Sequence, residues 1–87
     1  MASLADGDKH GYAMMEDIQA FAGVKLGPGT LYGAITRLEE NGWIAPVPSD
    51  DRRQPYTLTA LGRRSLEKEL DGLQSVVKTA FKRLRNA

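Results

Sequence analysis

Residues 27–44, GPGTLYGAITRLEENGWI, carry the start, both faces and the stop of one helix, and this stretch constrains the fold more than any other. Gly27 is an acceptable N-cap, and Pro28 at the first helical position has its φ preset and needs no donor there. Leu31, Ala34, Ile35 and Leu38 recur at helical spacing as one apolar stripe. Opposite that stripe lie Gly29, Gly33, Thr36 and Arg37, with Thr30 in the first turn and Tyr32 on a flank. Asn41-Gly42 supplies the left-handed residue that ends a helix, and Trp43-Ile44 resumes apolar packing at once. Ordinary solvent faces are filled with Glu, Lys and Gln. A face of small residues, hydroxyls and one arginine instead lets a backbone approach something closely, as a helix does on the floor of a DNA groove.

The flanking segments organise around that helix. Residues 1–5 read as the last turn of a helix, and Asp6-Gly7-Asp8 as a turn. A second helix is expected from about residues 9–11 to Ala22, burying Tyr12, Met15, Ile18 and either Phe21 or Ala22. Gly23 breaks it, and residues 24–26 form a short connector, giving a helix-turn-helix. Beyond the helix, residues 44–47 are extended, residues 48–55 form a polar tip bounded by prolines, and Tyr56-Thr57-Leu58 alternates as a strand. This predicts a two-stranded wing whose tip carries Arg52 and Arg53 towards the DNA backbone or the minor groove.

Thr59 is the expected cap of a long final helix. Along it Leu66, Leu70, Leu73, Val77, Ala80 or Phe81, and Leu84 alternate four and three apart, a heptad-like seam. At roughly 1.5 Å per residue the helix would be ~40 Å long, more than a small domain needs to close its core. The surplus stripe calls for a partner helix, most simply from a second copy of the chain. Gly72 should weaken the helix by roughly 1 kcal/mol relative to alanine, marking a bend or a close approach. The expected fold is mainly α, a winged helix-turn-helix over residues 1–58 followed by a dimerisation helix over residues 59–87.

Eighty-seven residues permit one domain with a marginal core. The chain has no cysteine and a single histidine, so a thiolate or multi-histidine metal site is excluded and no cofactor or metal is expected. Phosphate-binding loops and clustered acids with a base are also missing, leaving an enzyme with almost no support. No run is long or apolar enough for a membrane span or signal peptide, which makes the cytoplasm the expected compartment. The net charge of +1 says little about nucleic acid. Its distribution says more, since residues 60–87 hold seven bases against three acids.

With these residues in view, the chain resembles the PadR family of bacterial winged-helix transcriptional regulators. The resemblance rests on HGYAMMEDI (residues 10–18), PGTLYGAITRLEENGWI (residues 28–44) and YTLTALGRRSL (residues 56–66). It implies a homodimer on a double-stranded DNA operator, a C-terminal helix packed on the partner subunit, a repressor role and, in many members, a small effector molecule that releases DNA. Members usually carry a longer apolar first helix ahead of the position of Leu4, so low stability and a melting temperature that rises with protein concentration are expected. The PGTLY element is often followed by proline, where this chain has Gly33.

Several residues admit two readings. Arg37 either bonds to a guanine edge or phosphate, or pairs with Glu40 one turn on. Tyr32 either reaches a phosphate or flanks the core. Arg52 and Arg53 either meet DNA or pair with Asp50 and Asp51 in a solvated tip. His10 in HGY reads as structural, helping to start its helix. Trp43 reads as core or as the floor for an aromatic effector, and Met14 with Met15 as core filler. The basic end of the last helix fits dipole complementation. Leu66, Leu70, Leu73, Val77, Phe81 and Leu84 are the expected dimer contacts. Against the DNA-binding reading stands a winged-helix module that docks only on other proteins.

Overall fold

The helix expected over residues 28–40 forms in the computed structural model as α2 (Pro28–Glu40), with Gly27 as its N-cap and Pro28 in the first turn. The structure describes residues 1–50 and 52–87. At the far end of α2, Gly42 takes φ +74°. Its N–H donates to the Glu39 carbonyl, and the N–H of Trp43 donates to the Leu38 carbonyl, both at 3.0 Å. This pair of bonds satisfies carbonyls that the helix end would otherwise leave open, and it sends the chain sharply back as a strand.

Before α2 come a 3₁₀ turn (Ala2–Leu4), β1 (Lys9–His10) and α1 (Gly11–Ala22). After it come β2 (Ile44–Pro46), β3 (Pro55–Leu58) and α3 (Ala60–Asn86). The sheet has three antiparallel strands in the order β1-β3-β2. The two-stranded wing expected from sequence is therefore extended by β1, which pairs Lys9 with Tyr56 and His10 with Pro55. Two residues leave no alternation to read, so only the partner strand makes β1 visible.

Leu4, Met14, Leu31, Ile35 and Ile44 form the core, with Met15, Ile18, Leu26, Leu38, Tyr56 and Leu58 packed around it. Two expected positions in α1 are corrected here: Tyr12 and Phe21 are 59% and 58% exposed. Ala22 is exposed as well. Met15 and Ile18 pack on the core as expected, and the fully buried positions of α1 lie beside them at Gly11 and Met14. The reason lies in α2, since the Tyr32 ring covers Gly11 so closely that a Cβ there would lie 2.8 Å from the phenolic oxygen. That contact turns the Gly11 side of α1 inward and Tyr12 outward.

Thr59 caps α3 as expected, its Oγ1 accepting from the Gly62 N–H at 3.0 Å while donating to the Gly42 carbonyl at 2.6 Å. Gly62 is buried against Trp43 and Leu58, and α3 runs on unbroken through Gly72. The N-terminal turn is tied down by Ser3, whose hydroxyl donates to Asp17 at 2.6 Å, and by Lys9, which pairs with Asp6 at 2.7 Å and donates to the Ser3 carbonyl. Burial pushes the Met1 amino group below its ordinary range, and the nearby Glu69 charge partly opposes that shift. Among the described residues, no helix is long and apolar enough to cross a membrane.

Candidate nucleic-acid interface

The outward face of α2 is open. Gly29, Thr30, Tyr32, Gly33, Thr36 and Arg37 are all exposed. A Cβ built on Gly29 or Gly33 would meet nothing within 4 Å, so both glycines leave bare backbone. The Thr36 hydroxyl donates to the Tyr32 carbonyl at 2.9 Å, one turn back, which satisfies its hydrogen and leaves its lone pairs and methyl for a ligand. Arg37 has no ion-pair partner among the described residues, so the pairing with Glu40 does not form. Its guanidinium, with five donors, is free to read an acceptor-rich edge.

Beside this face a cavity of about 430 Å³ opens between the start of α1, the Tyr32 ring and the wing tip. Its walls are His10, Gly11, Tyr12, Tyr32, Arg52, Arg53 and Gln54. Gln54 steadies the tip by donating to the carbonyls of Val47 and Pro55 at 2.9 and 2.8 Å. His10 is the N-cap of α1, as its place in HGY suggested, with Nδ1 accepting from the Ala13 N–H at 3.2 Å. Its Nε2 lies 3.3 Å from Arg53 Nη1. A neutral imidazole has one acceptor nitrogen, and while Nδ1 serves the cap, Nε2 bears a hydrogen and accepts nothing from Arg53. Arg53 therefore keeps its donors for another partner. Arg52 has no ion-pair partner among the described residues, and Asp51 lies outside them.

Two guanidiniums, phenols from both helices and the positive end of the α1 dipole surround this space, which favours an anion of phosphate size. Tyr56, on β3, packs on the core, its phenol pushed up by burial and by the nearby Glu39 and Tyr32, so it stays neutral. The fold brings Tyr32, Arg52 and Arg53 together around this cavity and leaves Gly29, Thr30, Gly33, Thr36 and Arg37 on the neighbouring helix face. Sequence reasoning missed Tyr12 and Gln54 because it placed Tyr12 in the core and treated the tip as two charges. The available signal was Gly11, a helical glycine in phase with Met14. Trp43 is half-buried, with its carbonyl accepting from the Thr59 N–H at 3.0 Å, and it lines neither this cavity nor the smaller one around Met15 and Leu26.

A short helix pair, a bare second-helix face and a basic-tipped antiparallel wing define a winged helix-turn-helix protein. Residues 1–68 match the transcriptional regulator PadR-like family, and the chain belongs to it. The uncharacterized 37.1 kDa protein in transposon TN4556 of Streptomyces fradiae is 45% identical over 69 residues, covering 79% of this chain. The chain spans only about 20% of that relative's length. A PadR family transcription regulator from Clostridium difficile superposes with a TM-score of 0.85 at 25% identity, covering 95% of this chain and 91% of the other. A transcriptional regulator from Clostridium thermocellum gives 0.80 at 26% identity, covering 93% and 82%.

Proposed function

We propose that the chain is a sequence-specific regulator that binds a double-stranded DNA operator as a homodimer. Residues 1–58 hold the reading surface in this proposal, and residues 59–87 supply the dimerisation helix. The observation that carries it is the continuity of two surfaces. The small-residue face of α2 ends at Tyr32, and Tyr32 is also a wall of the arginine-lined cavity. A duplex with α2 in its major groove presents base edges to Thr36 and Arg37. It presents phosphates to Arg52, Arg53 and the two tyrosines. The same proposal includes a repressor role and release by a small effector molecule, which the family resemblance supports; the family is one of transcriptional regulators.

The two groups of residues fail differently when removed. Arg37→Ala should cost about 1–3 kcal/mol on the preferred duplex and much less on a scrambled one, because a bidentate contact to guanine is lost. The double variant Arg52→Ala with Arg53→Ala should weaken both duplexes by similar factors and flatten the salt dependence by roughly one unit per lost phosphate contact. Binding of each variant to both duplexes across a salt series is the measurement. Equal losses for Arg37→Ala on the two duplexes remove α2 as the reader. Failure of the unaltered chain to bind any duplex at low salt leaves the protein-docking module as the better reading.

A further inference from the structure

Two parts of the chain stand open to solvent. Along α3, Leu66 is 9% exposed, whereas Leu70, Leu73, Val77, Phe81 and Leu84 range from 49% to 72%. The homodimer proposed above covers that stripe. The other part is the cavity between the start of α1, Tyr32 and the wing tip, and in it one polar contact lacks an acceptor.

That contact joins His10 to Arg53, 43 residues further along the chain. Two donors approach one imidazole. The Ala13 N–H meets Nδ1 at 3.2 Å, and Arg53 Nη1 lies 3.3 Å from Nε2. Each needs a lone pair on the nitrogen it meets, but a neutral imidazole has a lone pair on one ring nitrogen and a hydrogen on the other. The cap holds the lone pair. Ala13 lies in the first turn of α1, where the helix offers its N–H no carbonyl, and its bond to His10 is partly buried, so breaking it strands a donor. Arg53 is exposed, and water serves its guanidinium equally well. The hydrogen therefore sits on Nε2, and Arg53 faces a second donor across 3.3 Å.

Two N–H groups so placed share an acceptor or repel. We infer, on the DNA-binding reading given above, that His10 is itself a DNA ligand: its Nε2–H and the Arg53 guanidinium donate together to one phosphate of the duplex backbone. The walls suit an oxyanion, since Arg52, Arg53, Tyr12 and Tyr32 all line the cavity and no carboxylate does among the described residues. Gln54 spends its amide hydrogens on the Val47 and Pro55 carbonyls, so it holds the tip in place and leaves the anion to its neighbours. Lys9 is engaged elsewhere, by Asp6 and the Ser3 carbonyl. A backbone phosphate suits the place better than a free one, because Tyr32 stands at once in this wall and on α2, one turn from Thr36. The capping bond thus does two things: it starts α1, and it fixes which imidazole nitrogen carries the donor. A cation and an uncharged donor then act on the same phosphate, and their removal reads differently. Only the cation releases a counterion and enters the salt dependence.

The chain has a single histidine, so one imidazole is observed in nitrogen-15 spectra. The expected result is a hydrogen on Nε2 and a bare Nδ1 in the free chain, with the Nε2 signals shifting when a duplex is added. Inorganic phosphate at the same concentration should leave them in place. A hydrogen on Nδ1 overturns the inference, and so does an equal shift with inorganic phosphate, which would make this a site for the free anion. His10→Asn and His10→Ser keep a capping oxygen near the position of Nδ1 and have no donor at that of Nε2. Both should melt with the unaltered chain and lose about tenfold in affinity per subunit, on the preferred and the scrambled duplex alike. Both should also keep the unaltered salt slope, whereas Arg53→Ala flattens it by roughly one unit per subunit. Full affinity in either capped variant ends the role of His10 while DNA binding stands. An unaltered chain that retards no duplex at low salt ends the DNA-binding reading, and the phosphate contact with it.

Discussion

The first two turns of α3 and its last four belong to one continuous helix but to two different environments. Near the start, Gly62 is pressed against the backbone of Trp43, the residue just ahead of β2. A Cβ there would lie 2.0 Å from the Trp43 carbonyl oxygen and 2.9 Å from Leu58 Cδ1. Ten residues on, Gly72 meets nothing within 4 Å. The same residue type at two points of one helix is a packing necessity in the first case and a local weakness in the second. The comparison shows where the domain ends: up to Leu66 side chains are chosen by what they touch in their own chain, and from Leu70 onward by what they lack.

Three substitutions sharpen or break that contrast. The largest effect belongs to Gly62→Ala, because its neighbour is backbone and cannot swing aside. It should destabilise the chain by on the order of 3 kcal/mol or more, read as a fall in the denaturant midpoint. A near-neutral result would show that α3 can lift from the sheet at little cost, and the division at Leu66 would lose its basis. Leu73→Glu comes next. On the free arm it leaves the domain's own packing alone, but in a paired seam it places a charge among apolar side chains and should abolish association. The melting temperature of the unaltered chain should rise with protein concentration, while that of Leu73→Glu should not. Scanning both chains across a hundredfold concentration range checks this. The smallest effect is Gly72→Ala, which should stabilise the helix by up to about 1 kcal/mol through backbone entropy alone. Loss of stability there would mean that something packs on Gly72 in the assembled protein.

Much of this molecule is legible from residue order because its signals are local. α2 carries its cap, its proline, its stripe and its left-handed stop within 18 residues, and the structure reproduces each of them. Thr59 opening α3 is read the same way, since a cap needs only three residues of context, whereas His10 opening α1 was implied by the family's HGY pattern. The bare face of α2 was visible for the same reason: periodicity alone assigns it to the side opposite the core.

Tertiary structure decided what depends on residues far apart in the chain. β1 exists because Tyr56 and Pro55 offer it a partner 45 or more residues away, and no two-residue pattern could announce that. The phase of α1 was settled by Tyr32 lying on Gly11, which moved Tyr12 from the expected core to the wall of an arginine-lined cavity. The period of α1 was readable in the sequence, but its rotation about its own axis was not. Periodicity says that a helix has an inner face, whereas which residues occupy it depends on the shape of the neighbour it packs against.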